Sequence, residues 1–194
     1  MGYKPQVDVL PPAIRWGCDN EPLARKAYVA SMKERGCDVQ VSDCGLHLHY
    51  KYGYLGASSH GAVVDHSLDD LCCGCLEVKC PFSIGGHSVV HMSPMDITKK
   101  FRSQFCLELD GDGGLHLKKG HVYYDHLMGE MAAICVDWCD FVVYTSGGLF
   151  IERVSFDPEY WNRELFPALE RFYLDNIVPE LICGDLWFSS YVAK

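Results

Sequence analysis

The segment Leu76–Pro81 constrains the fold of this chain most, because it predicts one β-strand that carries two charges between apolar residues. Side chains two residues apart on a strand project from the same face, so Glu77 and Lys79 point together and their apolar neighbours point to the core. Pro81 ends the strand, because proline cannot continue a hydrogen-bonded ladder. Such a pair is most often a solvated surface pair, and a metal-binding pair is the alternative.

The composition indicates a globular protein. The chain has 194 residues and a formal net charge of −9, with 48% apolar and 22% charged residues. This excludes a largely disordered chain and predicts one domain over residues 1–194. No stretch reaches the roughly 20 apolar residues that cross a bilayer, so we expect no membrane partner. The acidic balance argues against nucleic-acid binding by the whole surface and leaves a local basic groove open.

Cysteines make up eleven residues of the chain, and the first residues lack the apolar run of a signal peptide. Both observations predict reduced thiols in an intracellular protein of the nucleus or cytoplasm. Cys72, Cys73 and Cys75, with Cys80 nearby and His66 upstream, can chelate zinc in a small structural module. No second Cys-x-x-Cys pair completes a standard site, and Cys80 belongs to the strand of Glu77 and Lys79, so the zinc module is the less favoured interpretation. Cys106, Cys135, Cys139 and Cys183 lie in apolar settings, where a free cysteine packs as a small hydrophobe.

Three longer helices are predicted from capping residues and helical spacing. Asn20 and Pro22 indicate the start of a helix over residues 20–35. Residues 121–136 contain no proline and place apolar side chains at helical intervals, which predicts the second helix. Asp157 and Pro158 indicate the start of a C-terminal helix.

Extended stretches alternate with these helices, which predicts an α/β domain. They are Val39 to Ser42, Leu46 to Tyr50, Tyr54 to Ala57, Gly61 to Val64, Cys75 to Cys80, Phe105 to Leu109, Leu115 to Lys118, Cys139 to Thr145 and Leu149 to Phe156. We interpret the first three as a meander. Residues 83–87 predict a mobile loop, Ser93 and Pro94 a short capped helix, and residues 110–114 a hairpin turn.

Several segments, in this order, resemble those of one nuclease family. The segments are Trp16-Gly17, Asn20-Glu21-Pro22, Leu55-Gly56-Ala57-Ser58, Leu76 to Pro81, His121 to Tyr124, Gly129 to Ala132, Trp138 to Thr145 and Ile151 to Val154. Together they resemble the YqaJ-like viral recombinases, which are related to lambda-type alkaline exonuclease and belong to the PD-(D/E)XK nuclease superfamily. The resemblance covers about residues 16–181. It implies a restriction-endonuclease-like α/β core with a central mixed sheet flanked by helices.

The resemblance implies a magnesium-dependent DNA nuclease, an exonuclease that acts in recombination or in the processing of viral or mobile-element DNA. Its reaction would be phosphodiester hydrolysis by metal-activated water, with DNA as the partner. Family relatives include trimeric rings, so a homo-oligomer, a trimer, is expected. Relatives often carry further N-terminal helices, so we also expect this chain to be a fragment or a trimmed version.

The resemblance also assigns the site residues. In the family, a helix Glu, a turn Asp and the Glu and Lys of the Glu-x-Lys strand form the site. Glu21, Glu77 and Lys79 match three of these as catalytic residues, and His60 stands where the family has the Asp. The metal is expected on Glu77, His60, Glu21 and the carbonyl of Val78, with Lys79 orienting the nucleophile.

The imidazole of His60 changes the expected metal preference. Magnesium prefers hard oxygen ligands, whereas imidazole suits manganese and other transition metals. Replacing a carboxylate by a neutral imidazole also removes one negative charge from the metal cage. Two outcomes follow: a weaker site that prefers Mn²⁺ to Mg²⁺, or a catalytically impaired relative that serves as a DNA-binding or assembly module.

Four further residues are expected to bind the substrate: Ser58, Lys119, Tyr124 and His126. His126 stands where the family usually has a Gln. Alternatively, Tyr124 packs in the core and His126 lies on the surface without a role. The basic residues expected to line a DNA groove are Arg25, Lys26, Lys99, Lys100, Arg102, Lys118 and Lys119.

Overall fold

The strand that carries Glu77 and Lys79 is the central strand of a five-stranded sheet. The structure, a computed structural model, describes residues 10–70 and 72–183. In chain order the elements are α1 (Pro12–Glu34), β1 (Val39–Ser42), β2 (His47–Leu48), β3 (Gly56–Ala57), β4 (Gly61–Asp65), β5 (Cys73–Lys79), β6 (Ser83–Ile84), β7 (His87–Ser88), α2 (Pro94–Phe101), β8 (Leu107–Leu109), β9 (Leu115–Leu117), α3 (Val122–Ile134), β10 (Trp138–Thr145), β11 (Gly148–Ser155), α4 (Pro158–Tyr160), α5 (Phe166–Phe172) and α6 (Val178–Cys183). Two π-helical segments, Trp161–Leu165 and Tyr173–Ile177, join the last three helices.

The central sheet is mixed, in the order β1-β4-β5-β10-β11. The β5 and β10 strands run parallel, with Glu77 opposite Phe141, and the other neighbours are antiparallel. The predicted meander is confirmed only for its second and third stretches, which pair as β2 and β3. Its first stretch is wrongly placed, because β1 pairs with β4. The β1–β4 pair buries Val39 and Val63, whereas both residues of β2 are exposed.

Apolar side chains cover both faces of the sheet, which determines the surroundings of β5. On one face Leu76 and Val78 pack with Tyr28 of α1, and on the other Cys75 packs with Met128 of α3. Glu77 points to the α3 side and has no exposed surface. The Glu-x-Lys pair is therefore not a solvated surface pair.

The first helix begins earlier than predicted. It begins at Pro12, where a missing amide costs no hydrogen bond, and it keeps Pro22 in its interior. Asn20 is not a cap: its side chain is buried and donates to the carbonyl oxygen of Trp16 at 2.9 Å. The predicted second helix is confirmed as α3, with His121 as its N-cap.

Residues 83–87 form a tight hairpin, so the predicted mobile loop is wrong. β6 pairs with β7 across Gly85 and Gly86, which have φ angles of 55° and 78°. Two consecutive positive φ angles suit a two-residue hairpin turn, and glycine adopts them without strain. The hairpin predicted around residues 110–114 and the helix start at Asp157 are both confirmed. Within residues 10–70 and 72–183, none of the helices has the length and apolar character needed to span a bilayer.

Candidate active site

The carboxylate of Glu77 is buried and contacts three basic side chains. Oε2 contacts Nδ1 of His60, while Oε1 contacts Nζ of Lys79 and lies 3.3 Å from Nδ1 of His126. β5 supplies Glu77 and Lys79, the turn before β4 supplies His60, and α3 supplies His126. Three elements distant in sequence therefore converge on one carboxylate.

Helix α1 adds Glu21 to this cluster. Its Oε2 lies 3.6 Å from Nε2 of His60, so the His60 ring lies between two carboxylates. The backbone nitrogen of Val78 lies 3.4 Å from Nδ1 of His60. The structure thus brings together the five residues that the resemblance assigned to catalysis and metal binding: Glu21, His60, Glu77, Val78 and Lys79.

The charges of the cluster shift the pKa values of its members. Burial by itself raises the pKa of Glu77, but His126, His60 and Lys79 outweigh burial and hold this pKa well below its usual range. Burial lowers the pKa of His60, yet its contacts with Glu77 and Glu21 give a net increase. The hydrogen bond to Glu77 raises the pKa of His126. The arrangement stabilises an ionised Glu77 carboxylate beside basic groups.

The ammonium group of Lys79 is held in place from two sides. It contacts the Glu77 carboxylate and lies 4.6 Å from the centroid of the Tyr123 ring, a cation–π distance. Lys79 is only 19% exposed. Sequence reasoning missed Tyr123, although it belongs to the His121–Tyr124 segment.

Glu130 is a further site residue that sequence reasoning missed. It lies one turn after His126 on α3, and its Oε1 is 3.5 Å from Nε2 of His126. The side chain has no exposed surface, and neither oxygen accepts a hydrogen bond from the described residues. Burial, with the Glu77 charge, raises its pKa to about 7. The sequence did offer a signal for Glu130, because it is a charged residue among the apolar Met and Ala residues of the predicted helix.

Two cavities meet the cluster on different sides. One, of about 460 Å³, is lined by His60, Lys79 and Tyr123. The other, of about 450 Å³, is lined by Ser58, His126 and Glu130. Oε2 of Glu77 therefore contacts a residue of the first cavity, and Oε1 contacts residues of both.

Two of the expected substrate-binding residues lie elsewhere. Tyr124 is 5% exposed in the core, with its hydroxyl 3.4 Å from Asp157, and it does not line either cavity of the Glu77 cluster. Lys119 lies 3.7 Å from Asp157 and lines a third cavity with Tyr124. Adjacent helical residues point in different directions, so Tyr123 faces Lys79 while Tyr124 faces the C-terminal helices.

The basic residues expected to form a DNA groove have different surroundings. Arg25 pairs with Asp43 at 2.8 Å, and Lys118 donates to the carbonyl oxygens of Arg102 and Phe105. These two side chains serve local structure. The others are exposed: Lys26, Lys99, Lys100, Arg102 and Lys119.

The cysteines of the alternative zinc module do not gather into one site within the described residues. Sγ of Cys72 lies 3.8 Å from Sγ of Cys73 near the surface, whereas Cys75 is buried. Cys75 instead groups with Cys139 and Glu130. Within the described ranges, the groups of side chains close enough to share one metal ion do not combine Cys75 with Cys72 or Cys73.

The donors around Glu77 fit a divalent metal ion. Glu77 and Glu21 supply carboxylate oxygens on the two sides of the His60 ring, and such oxygens bind divalent cations. The donors are carboxylate oxygens and imidazole nitrogens, a mixture that suits manganese and other transition metals.

This α/β arrangement is similar to the fold of an alkaline exonuclease of known structure. The chain is similar to the crystal structure of an alkaline exonuclease (LHK-Exo) from Laribacter hongkongensis, with a TM-score of 0.58 and 23% identity over 95% of this chain and 76% of that chain. It is also similar to LHK-Exo in complex with dAMP, with a TM-score of 0.57 and 22% identity over 92% of this chain and 77% of that chain. The core is thus of the PD-(D/E)XK type, as the resemblance implied.

The sequence identifies the family within that class. Residues 3–109, more than half of the chain, match the YqaJ-like viral recombinase domain. The chain belongs to this family. None of the curated proteins compared with the chain matches it.

Proposed function

We propose that this chain is a divalent-metal-dependent deoxyribonuclease that removes nucleotides from DNA ends during recombination or the processing of viral or mobile-element DNA. The observation that carries the proposal is the buried Glu77 carboxylate in contact with Lys79 and His60, with Glu21 beside His60. Membership of the YqaJ-like family and the alkaline-exonuclease fold support a nuclease role.

Glu77, His60, Glu21 and the carbonyl of Val78 would hold the metal ion. When bound, the ion would lower the pKa of a coordinated water and stabilise charge on the scissile phosphate. The imidazole of His60 favours Mn²⁺ over Mg²⁺ at this position.

Lys79 would orient the attacking water and stabilise the negative charge that develops on the phosphate. Its ammonium group is fixed between the Glu77 carboxylate and the Tyr123 ring, so little reorganisation is needed during the reaction. The cavity lined by Lys79 and Tyr123 would receive the terminal nucleotide. LHK-Exo binds dAMP, which supports a mononucleotide as the product.

A catalytically impaired DNA-binding or assembly module is the second candidate. The observation that favours it is that both ring nitrogens of His60 face carboxylates, Nδ1 facing Glu77 and Nε2 facing Glu21. A protonated ring held in this way would offset one of the two negative charges and would leave neither ring nitrogen free to bind a metal ion.

End-labelled linear duplex DNA distinguishes the two candidates. The full chain is incubated with this substrate in Mg²⁺ and, separately, in Mn²⁺. Release of labelled nucleotides, faster in Mn²⁺, supports the nuclease. Retention of intact DNA in both metals contradicts it and supports the module. A homo-oligomer, a trimer, is part of the proposal by family resemblance, and analytical ultracentrifugation tests it.

A further inference from the structure

Glu130 takes no part in the function proposed above, yet its carboxylate is buried without a hydrogen bond from the described residues. An ionised carboxylate removed from water is costly unless it is paired or bound to a metal. The nearest cationic partner is the His126 ring, at 3.5 Å from Nε2 to Oε1. Glu130 therefore has this one long ionic contact and no hydrogen bond within the described residues.

The geometry around Glu130 is that of a small chelating site. One ligand atom each of Glu77, His126 and Glu130 lies within 4.8 Å of the other two. His126 is half-exposed, and with Glu130 it lines the cavity of about 450 Å³, which provides a route from solvent. His60 and Glu21 lie on the other side of Glu77, beyond its Oε2 atom.

We propose that Glu77, His126 and Glu130 form a second binding site for a divalent transition-metal ion. Two carboxylates would balance the charge of the ion, and the imidazole would select a transition metal over magnesium. Glu77 would use its Oε1 atom here, where Nζ of Lys79 is a second contact, and its Oε2 atom towards His60, so one carboxylate serves two sites. The inference rests on the proposed function only in that both sites share Glu77.

Two other arrangements that include Glu130 compete with this metal site. Cys75 and Cys139 also lie within reach of Glu130, so the ion could have thiolate ligands instead. Burial raises the pKa of the Cys139 thiol, which opposes that ligand set. Alternatively, a protonated His126 bridges Glu77 and Glu130 without any metal. The experiment below separates these outcomes.

Calorimetric titration of the full, metal-free chain with Mn²⁺ tests the site. Glu130→Gln is nearly isosteric and removes the charge, and Glu21→Gln is the matched variant on the other side of Glu77. We expect Glu130→Gln to bind one Mn²⁺ fewer than wild type, or to bind it at least tenfold more weakly. Glu21→Gln should still bind Mn²⁺ at the site of Glu77, His126 and Glu130.

Thermal unfolding controls for damage to the fold. Glu130→Gln removes a buried charge, so its metal-free melting temperature should be no lower than that of wild type. Mn²⁺ should raise the melting temperature of wild type, and it should raise that of Glu130→Gln by less. Equal Mn²⁺ stoichiometry and affinity in wild type and Glu130→Gln would overturn the proposal.

Titration with Co²⁺ identifies the ligand atoms. We expect a spectrum without the strong near-ultraviolet band of a cobalt–thiolate bond, and that band would overturn the assignment to His126 and Glu77. If only the nuclease proposal fails, wild type releases no nucleotides and Glu21→Gln binds as much Mn²⁺ as wild type. The loss of Mn²⁺ binding in Glu130→Gln persists in that case.

Discussion

Oε1 of Glu77 lies 3.3 Å from Nδ1 of His126, a contact between the central strand and a helix 49 positions further along the chain. The other oxygen of the same carboxylate contacts His60. A single buried side chain is thus bound by imidazoles from two directions. Catalysis and metal binding both depend on this carboxylate in the proposed function.

Lys79 should contribute to the rate of the reaction. Replacing it as Lys79→Met keeps the aliphatic stem and removes the ammonium group that contacts Glu77. We expect nucleotide release from duplex DNA in Mn²⁺ to fall by about 10²–10³-fold, as for the loss of one transition-state charge contact. Lys33→Met, at an exposed position of α1, is the matched control and should keep the wild-type rate. Similar rates for the two variants would contradict the role of Lys79.

His60→Asp should increase cleavage in Mg²⁺. The substitution supplies a hard oxygen ligand and one more negative charge beside Glu77, and both favour Mg²⁺. The measurement is the rate of nucleotide release in Mg²⁺ relative to Mn²⁺. His66→Asp, at an exposed position, introduces the same charge away from the cluster and should change neither rate. The metal assignment fails if His60→Asp shows no gain in Mg²⁺.

Arg153 should stabilise the sheet through two buried carboxylates. It donates to both oxygens of Asp140 and, at 2.9 Å, to Asp65. Arg153→Met leaves both carboxylates buried without this cation, so we expect the free energy of unfolding in urea to fall by about 3 kcal/mol. Arg163→Met removes an exposed pair with Glu159 and should cost less than about 1 kcal/mol. Equal losses in the two variants would contradict the account.

The contribution of Asp65 should disappear in acid. Burial by itself raises the pKa of Asp65, but hydrogen bonds from Arg153 and Ser67 lower it by more. The net pKa therefore lies below the ordinary 3.8. A carboxylate with a depressed pKa stabilises the fold above the ordinary pKa and loses that effect as pH falls through the depressed value. The difference in unfolding free energy between wild type and Asp65→Asn should therefore be constant near neutral pH and shrink below pH 3.8. A difference that does not depend on pH would refute this.

Local patterns predicted part of the fold well. The Glu-x-Lys strand, the α3 helix and the β8–β9 hairpin follow from side-chain alternation, helical spacing and turn chemistry, each within about ten residues. The pairing of β1 with β4 did not follow, because it depends on which strands bury side chains against the rest of the sheet. The start of α1 was misplaced because Pro22 is a strong start signal that the helix accommodates in its interior.

The site was predictable only where a family pattern marked it. Glu21, His60, Glu77 and Lys79 are brought together as the resemblance assigned them, and their roles stay predictions. Tyr123 and Glu130 could not be found in the same way, because their importance comes from contacts with Lys79 and His126 that only the folded chain creates.

The most direct test of the central claim compares wild type with Glu77→Gln on end-labelled linear duplex DNA in Mn²⁺. Glu108→Gln, at an exposed position of β8, controls for the loss of a carboxylate. We expect wild type and Glu108→Gln to release labelled nucleotides at equal rates. We expect Glu77→Gln to release none above background. Equal release by Glu77→Gln, or no release by wild type, would contradict the central claim.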